Sequence, residues 1–159
     1  MYKPKYFAAH EVVPPHIYKQ RKNSSFLMMD ERILKAADIL REQFGPAYIN
    51  TYNLKNSPYG RGFKWSGLRD ELFKKEMQGK KFSKFSDHFY GRALDLKFPK
   101  TSPKKVRKWI KLHKDFYVPD PKNSTLITIQ EVITCVEEDT PTWVHISCRN
   151  VKPIQWIKP

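Results

Sequence analysis

Ser86-Asp87-His88-Phe89-Tyr90-Gly91-Arg92-Ala93-Leu94-Asp95 is the stretch on which the reading of this chain turns. It sets a histidine and a carboxylate seven residues apart around a glycine. Glycine takes positive φ, or lets another backbone approach, at no steric cost, so Gly91 can fold His88 back toward a following strand. In that strand the two-residue period places Ala93 and Asp95 on one face. His88 and Asp95 can therefore converge on one point.

A second histidine completes a set. His145 lies in Thr142-Trp-Val-His-Ile-Ser-Cys148, where Val144, Ile146 and Cys148 alternate with Trp143, His145 and Ser147. A strand over this run buries the first trio and turns the second toward a cleft, which makes Trp143 a substrate-facing residue. Two histidines and an aspartate are the donor set of a catalytic zinc site, in which the fourth position is left to a water that the metal acidifies.

The string S-x-H-x-x-G-x-A-x-D, here Ser86, His88, Gly91, Ala93 and Asp95, followed by W-x-H at Trp143 and His145, resembles the zinc D-alanyl-D-alanine peptidases. That family includes carboxypeptidases, vancomycin-resistance dipeptidases and phage endolysins, and shares its core with the hedgehog signalling domain and lysostaphin-type enzymes. The resemblance spans roughly residues 30–150 and extends to a helix ending Leu40-Arg-Glu-Gln-Phe-Gly-Pro46, a strand Tyr48-Ile-Asn-Thr-Tyr52 and the segment Trp65-Ser-Gly-Leu-Arg69. It implies one zinc ion per chain on His88, Asp95 and His145. It also implies a substrate-polarising arginine at Arg69 and a supporting or substrate-facing role for Ser86. The expected fold is α+β, a small antiparallel sheet with flanking helices of the hedgehog or D-Ala-D-Ala peptidase type.

The catalytic carboxylate departs from the family pattern. The peptidases place Glu or Asp three residues before the last zinc histidine, where this chain has Thr142. Hedgehog-like members carry an acid six residues before it, the position of Asp139. Glu137, Glu138 and Asp139 are thus three candidates to take the proton from the attacking water and pass it to the leaving amine, and the spacing favours Asp139. Asp139-Thr-Pro-Thr142 reads equally well as an ordinary turn.

With 159 residues, 40% of them hydrophobic, the chain can bury one core without disulfides. Residues 1–29, with Pro4, Pro14 and Pro15, read as an irregular N-terminal arm, and residues 30–159 as the peptidase-like domain. Asp30 caps a helix carrying Ile33, Leu34, Ala37, Leu40 and Phe44, ended by Gly45-Pro46. Residues 53–64 read as a loop bordering the cleft, and 70–85 as a short helix and loop with Lys74, Lys75, Lys80, Lys81 and Lys84. Ser102-Pro103 opens a second helix that ends near His113. Strands over about 126–136 and 142–148 close the domain, and a tail around Trp156 packs back on it. Cys135 and Cys148 lack C-x-x-C spacing and read as core thiols.

Lys and Arg number 30 against 16 acids, a formal charge of +14 that attracts polyanions. Anionic cell-wall polymers and nucleic acid both qualify as partners. No helix-turn-helix, zinc-finger or RNA-motif signature accompanies the charge, so a nucleic-acid role is the weaker reading. No apolar run long enough for a membrane span or a secretory signal appears, which suits a phage product made in the host cytoplasm and acting at the wall or within a virion. Two functions follow: a zinc peptidase cutting peptidoglycan peptides, and a non-catalytic zinc-binding virion or tail component with the same fold, in contact with other virion proteins.

Overall fold

Helix α3 (Glu31–Phe44) starts and stops where its sequence says it should. The Asp30 carboxylate accepts the Arg32 amide at 3.0 Å, and Gly45, at φ +82°, ends the helix. Its buried stripe, Ile33, Leu34, Ala37 and Leu40, packs toward strand β1 (Ala93–Leu96) and the short helix α6 (Ile129–Val132). The computed structural model describes residues 2–80, 82–83, 85–119, 125–149 and 154–158.

Residues 2–29, the described part of the expected irregular arm 1–29, are folded into the body. Helices α1 (Ala9–Val12) and α2 (Pro15–Arg21) and a 3-10 helix (Lys22–Met28) occupy them, and Tyr2, Phe7, Val12, Val13 and Phe26 are buried in the same core as α3. Pro15 sits in the first turn of α2, where its missing N–H costs nothing. The buried Asp38 of α3 holds the segment: its carboxylate accepts the Tyr2 hydroxyl at 2.5 Å and the Lys5 and Tyr6 amides at 2.7 and 3.1 Å.

Helix α4 (Glu71–Glu76) is capped by Asp70, and α5 (Pro103–His113) by Ser102. Lys81 and Lys84 of the lysine-rich stretch lie outside the described residues. His113 ends α5 stacked on Trp109, with ring centroids 4.6 Å apart.

The expected strand over 126–136 is broken. Strand β3 (Leu126–Thr128) pairs with β2 (Tyr117–Pro119), and the Glu131 carboxylate then accepts the Thr128 amide and starts α6. The chain resumes as β4 (Cys135–Glu137), and β5 is Val144–Ser147. The main sheet runs β1-β5-β4-β6, with β6 spanning Gln155–Ile157. It is mixed rather than antiparallel: β6 reverses direction after β5, so it lies parallel to β4 when it docks beside it. The fold is α+β. Tyr48–Tyr52 contributes only a bridge between Tyr48 and Lys97, because the Thr51 and Tyr52 amides donate to the Phe63 carbonyl of the neighbouring loop. Cys135 and Cys148 are buried free thiols.

Candidate metal centre

Strand register builds the first part of the site. Asp95 on β1 stands directly opposite His145 on β5. On the other side of β5, Cys135 faces Ser147 and Val136 faces Ile146, so the next step of that register sets Glu137 beside His145. Side chains directly opposite one another share a sheet face. Asp95, His145 and Glu137 therefore form a row across three neighbouring strands.

His88 reaches the row from a 3-10 helix (Asp87–Tyr90) that ends at Gly91 with φ +64°. A Cβ on Gly91 would stand 2.0 Å from the Met28 carbonyl oxygen, so both the conformation and the space require glycine. Asp87 ties the turn to β5, its Oδ2 accepting from Ser147 Oγ at 3.0 Å and from Arg149 Nε at 2.7 Å. His88 Nδ1 lies 2.7 Å from the Gly67 carbonyl. A carbonyl can only accept, so Nδ1 carries the hydrogen and Nε2 keeps its lone pair for the interior. Gly67 is itself pressed against α1: a Cβ there would meet the Val12 carbonyl oxygen at 2.2 Å, and the Leu68 amide donates to that same oxygen at 2.8 Å. The N-terminal segment thus supports the carbonyl that orients His88.

The donor atoms form a small triangle. His88 Nε2 lies 3.3 Å from His145 Nδ1 and 3.4 Å from Asp95 Oδ1, and His145 Nδ1 lies 2.8 Å from Asp95 Oδ1. Zinc bonds of about 2.0–2.1 Å in a tetrahedron place neighbouring donors roughly 3.3–3.4 Å apart. Two edges match and the third is shorter, as expected where His145 and Asp95 share a hydrogen bond. His88 is 1% exposed and His145 6%, and the Asp95 side chain 13%. A neutral Nε2, an imidazole Nδ1 and a carboxylate converging in a buried place, with an outer carbonyl fixing one ring, fit a zinc ion.

The electrostatics favour the deprotonated form of His88 and Asp95 and the protonated form of His145. Burial lowers the pKa of His88, only partly offset by the Asp95 charge. Burial also opposes ionisation of Asp95, but the two histidines outweigh it and hold the carboxyl well below the usual range. For His145 burial pulls downward, yet the hydrogen bond to Asp95 and its charge, with help from Glu137, raise the net value. His88 is thus ready to bind a cation, and His145 must first release a proton.

A cleft of 380 Å³ opens over the triangle, walled by Arg69, Phe82, Ser86, Glu137 and Trp143. Arg69 donates Nη2 to Asp95 Oδ2 at 3.2 Å and Nε to the Trp65 carbonyl at 2.9 Å. Asp95 thereby keeps Oδ1 for the histidines. Arg69, Asp95 and Trp143 also line an adjoining 270 Å³ arm with Phe63, Trp65 and Lys97. Lys97 is buried, its ammonium donating to Ser66 Oγ at 2.7 Å and to the Asp95 and Ile49 carbonyls at 3.2 and 3.3 Å. Burial pulls its pKa down to about 8.

The structure brings together His88, Asp95, His145, Arg69, Ser86, Trp143 and Glu137. Asp139 and Glu138 are elsewhere, lining a separate cleft against α5. Strand β4 ends at Glu137, and the Glu138 amide then donates to the Ile157 carbonyl at 2.8 Å as the chain turns away. Of the three candidate acids, Glu137 lines the cleft over the triangle, and Glu138 and Asp139 do not. Strand parity excludes only Glu138, because Glu137 and Asp139 both share the face of His145 by the two-residue period; the end of β4 at Glu137 separates those two. Lys97 lies outside the quoted segments, Gly67 lies within Trp65–Arg69 without a role assigned to it, and what both do appears only through tertiary contacts. Comparison with protein-family models, with curated proteins and with solved structures finds no match.

Proposed function

We propose that this chain is a zinc-dependent peptidase of the D-alanyl-D-alanine peptidase and hedgehog type, acting on peptides of bacterial peptidoglycan. The observation that carries the reading is the donor triangle of His88, Asp95 and His145 at the base of an open cleft that also holds one carboxylate, Glu137, and one guanidinium, Arg69. Zinc bound there would supply Lewis acidity and an acidified water.

The residues divide the remaining work. Glu137 accepts a proton on its carboxylate and returns it to the departing amine. Arg69 is anchored through Nε and Nη2, and Nη1 has no partner among the described residues, so it is free to donate to the oxyanion or to a substrate carboxylate. Its charge persists although burial disfavours it, because Asp95 and Glu137 stand nearby. Trp143 and Ser86 shape the cleft beside the scissile bond. Lys97 donates to Ser66 Oγ and the Asp95 carbonyl and so holds the adjoining arm against β1.

Incubating the zinc-loaded protein with purified peptidoglycan fragments and reading the products by mass spectrometry tests the proposal. A defined peptide product that a chelator abolishes is the expected result. Intact fragments despite bound zinc would favour the zinc-binding virion component.

A further inference from the structure

A cleft larger than the metal cleft lies elsewhere on the protein. A 590 Å³ groove lies between α5 and the edge of the main sheet, with Lys104, Arg107, Lys108 and Lys111 on one wall and Trp156, Glu138 and Asp139 on the other. Helix α5 carries five cations, Lys104, Lys105, Arg107, Lys108 and Lys111, and no acid. Like charges three and four residues apart on a helix repel, so this pattern costs stability unless a partner neutralises it. Among the described residues, Lys104, Lys105 and Lys108 form no ion pair.

Lys104, Lys108 and Lys111 recur at helical spacing on one face. At about 1.5 Å of rise per residue, they mark a row roughly 10 Å long, with steps of about 6 and 4.5 Å. Such a row suits a single flexible chain with a phosphate at every short repeat. Bases are not provided for: Trp156 is the one aromatic residue lining the groove, and Lys111 already lies over its ring at 5.7 Å. Strand-binding proteins offer successive aromatic platforms instead. Glu138 and Asp139 on the opposite wall disfavour a broad duplex and can meet ammonium groups carried by the same polymer.

The groove also borders the metal cleft through shared structure. Arg107 donates Nη1 to the Thr140 carbonyl at 3.1 Å, to Thr140 Oγ1 at 3.0 Å and to the Trp143 carbonyl at 3.4 Å. Trp143 lines the metal cleft on the far side of that turn. A chain held along α5 is separated from the metal centre by one turn of backbone.

We infer that the α5 groove is an anchoring site for a poly(glycerol phosphate)-type wall polymer, which keeps the metal cleft beside its peptide substrate. The choice of a wall polymer rests on the peptidase reading, but its test measures binding and not cleavage, so the two can fail separately.

The full chain is titrated with lipid-free poly(glycerol phosphate) and, at equal phosphate concentration, with polyuridylate, over a range of salt. The wild type is expected to prefer poly(glycerol phosphate). Its log affinity should fall with log salt at a slope of about −2, as expected for about three neutralised phosphates. Joint substitution Lys104→Gln, Lys108→Gln and Lys111→Gln should weaken binding at least tenfold. The control Lys3→Gln, Lys19→Gln and Lys55→Gln should stay within twofold. An equal loss in both triple variants, tighter binding to polyuridylate, or no binding to poly(glycerol phosphate) would each overturn the inference.

Discussion

Replacing Glu137 by Gln keeps the shape of the side chain and removes its charge and its capacity to take a proton. The structure makes this substitution informative because Glu137 is partly exposed at the cleft wall, is not one of the three donor atoms, and acts electrostatically on both His145 and Arg69. Zinc stoichiometry should therefore be unchanged, and folding stability should move by less than about 1 kcal/mol, as for a substitution outside the core. Turnover should fall by about 10²–10⁴, the contribution of a positioned general base, equivalent to about 3–5 kcal/mol of barrier. In the metal-free protein the His145 pKa should also fall, since the Glu137 charge raises it. Steady-state hydrolysis of a peptidoglycan peptide, zinc analysis and an NMR titration of the imidazole read these three effects. Asp139→Asn is the control and should remain within twofold, because Asp139 is exposed and faces α5. Full activity in Glu137→Gln, or a dead Asp139→Asn, would refute the assignment of the base.

Three further outcomes are expected. Zinc affinity should rise with pH near and above the ordinary histidine value of about 6.5 with a slope near one proton per ion, because His145 has a raised pKa and must deprotonate while His88 is already neutral; competition titrations check this, and a slope near two contradicts it. Gly67→Ala should destabilise the fold by about 1–3 kcal/mol in denaturant unfolding, since its Cβ would overlap the Val12 carbonyl, and should weaken zinc binding by displacing the carbonyl that orients His88. Arg69→Lys should lower turnover by about a hundredfold with zinc retained, because a single ammonium nitrogen lacks the planar fork that lets Nε and Nη2 hold the Trp65 carbonyl and Asp95 while Nη1 is presented to substrate.

The parts of the fold that were legible are those specified locally. Asp30 and Gly45 bound α3, and Ser102-Pro103 opens α5, because caps act within a few residues of themselves. The convergence of His88, Asp95 and His145 was legible for the same reason: Gly91 turns the chain between His88 and Asp95, and the two-residue period sets the face of His145. The N-terminal helices were not, since they are short and depend on Asp38, a distant residue that gathers Tyr2, Lys5 and Tyr6. The break at Thr128 depends on one side chain, Glu131, competing with strand pairing. Asp139 was misplaced because the strand end, which family spacing does not reveal, decides whether an acid reaches the cleft or the turn. The parallel pairing of β6 with β4 is set by long-range docking and leaves no local mark.

Elemental analysis of the purified, zinc-equilibrated protein and its variants decides whether His88, Asp95 and His145 hold zinc. About one zinc per chain is expected in the wild type, with loss of the ion in His88→Ala and in His145→Ala, because each removes one of three protein donors. Full zinc occupancy in both variants, or none in the wild type, would contradict that assignment.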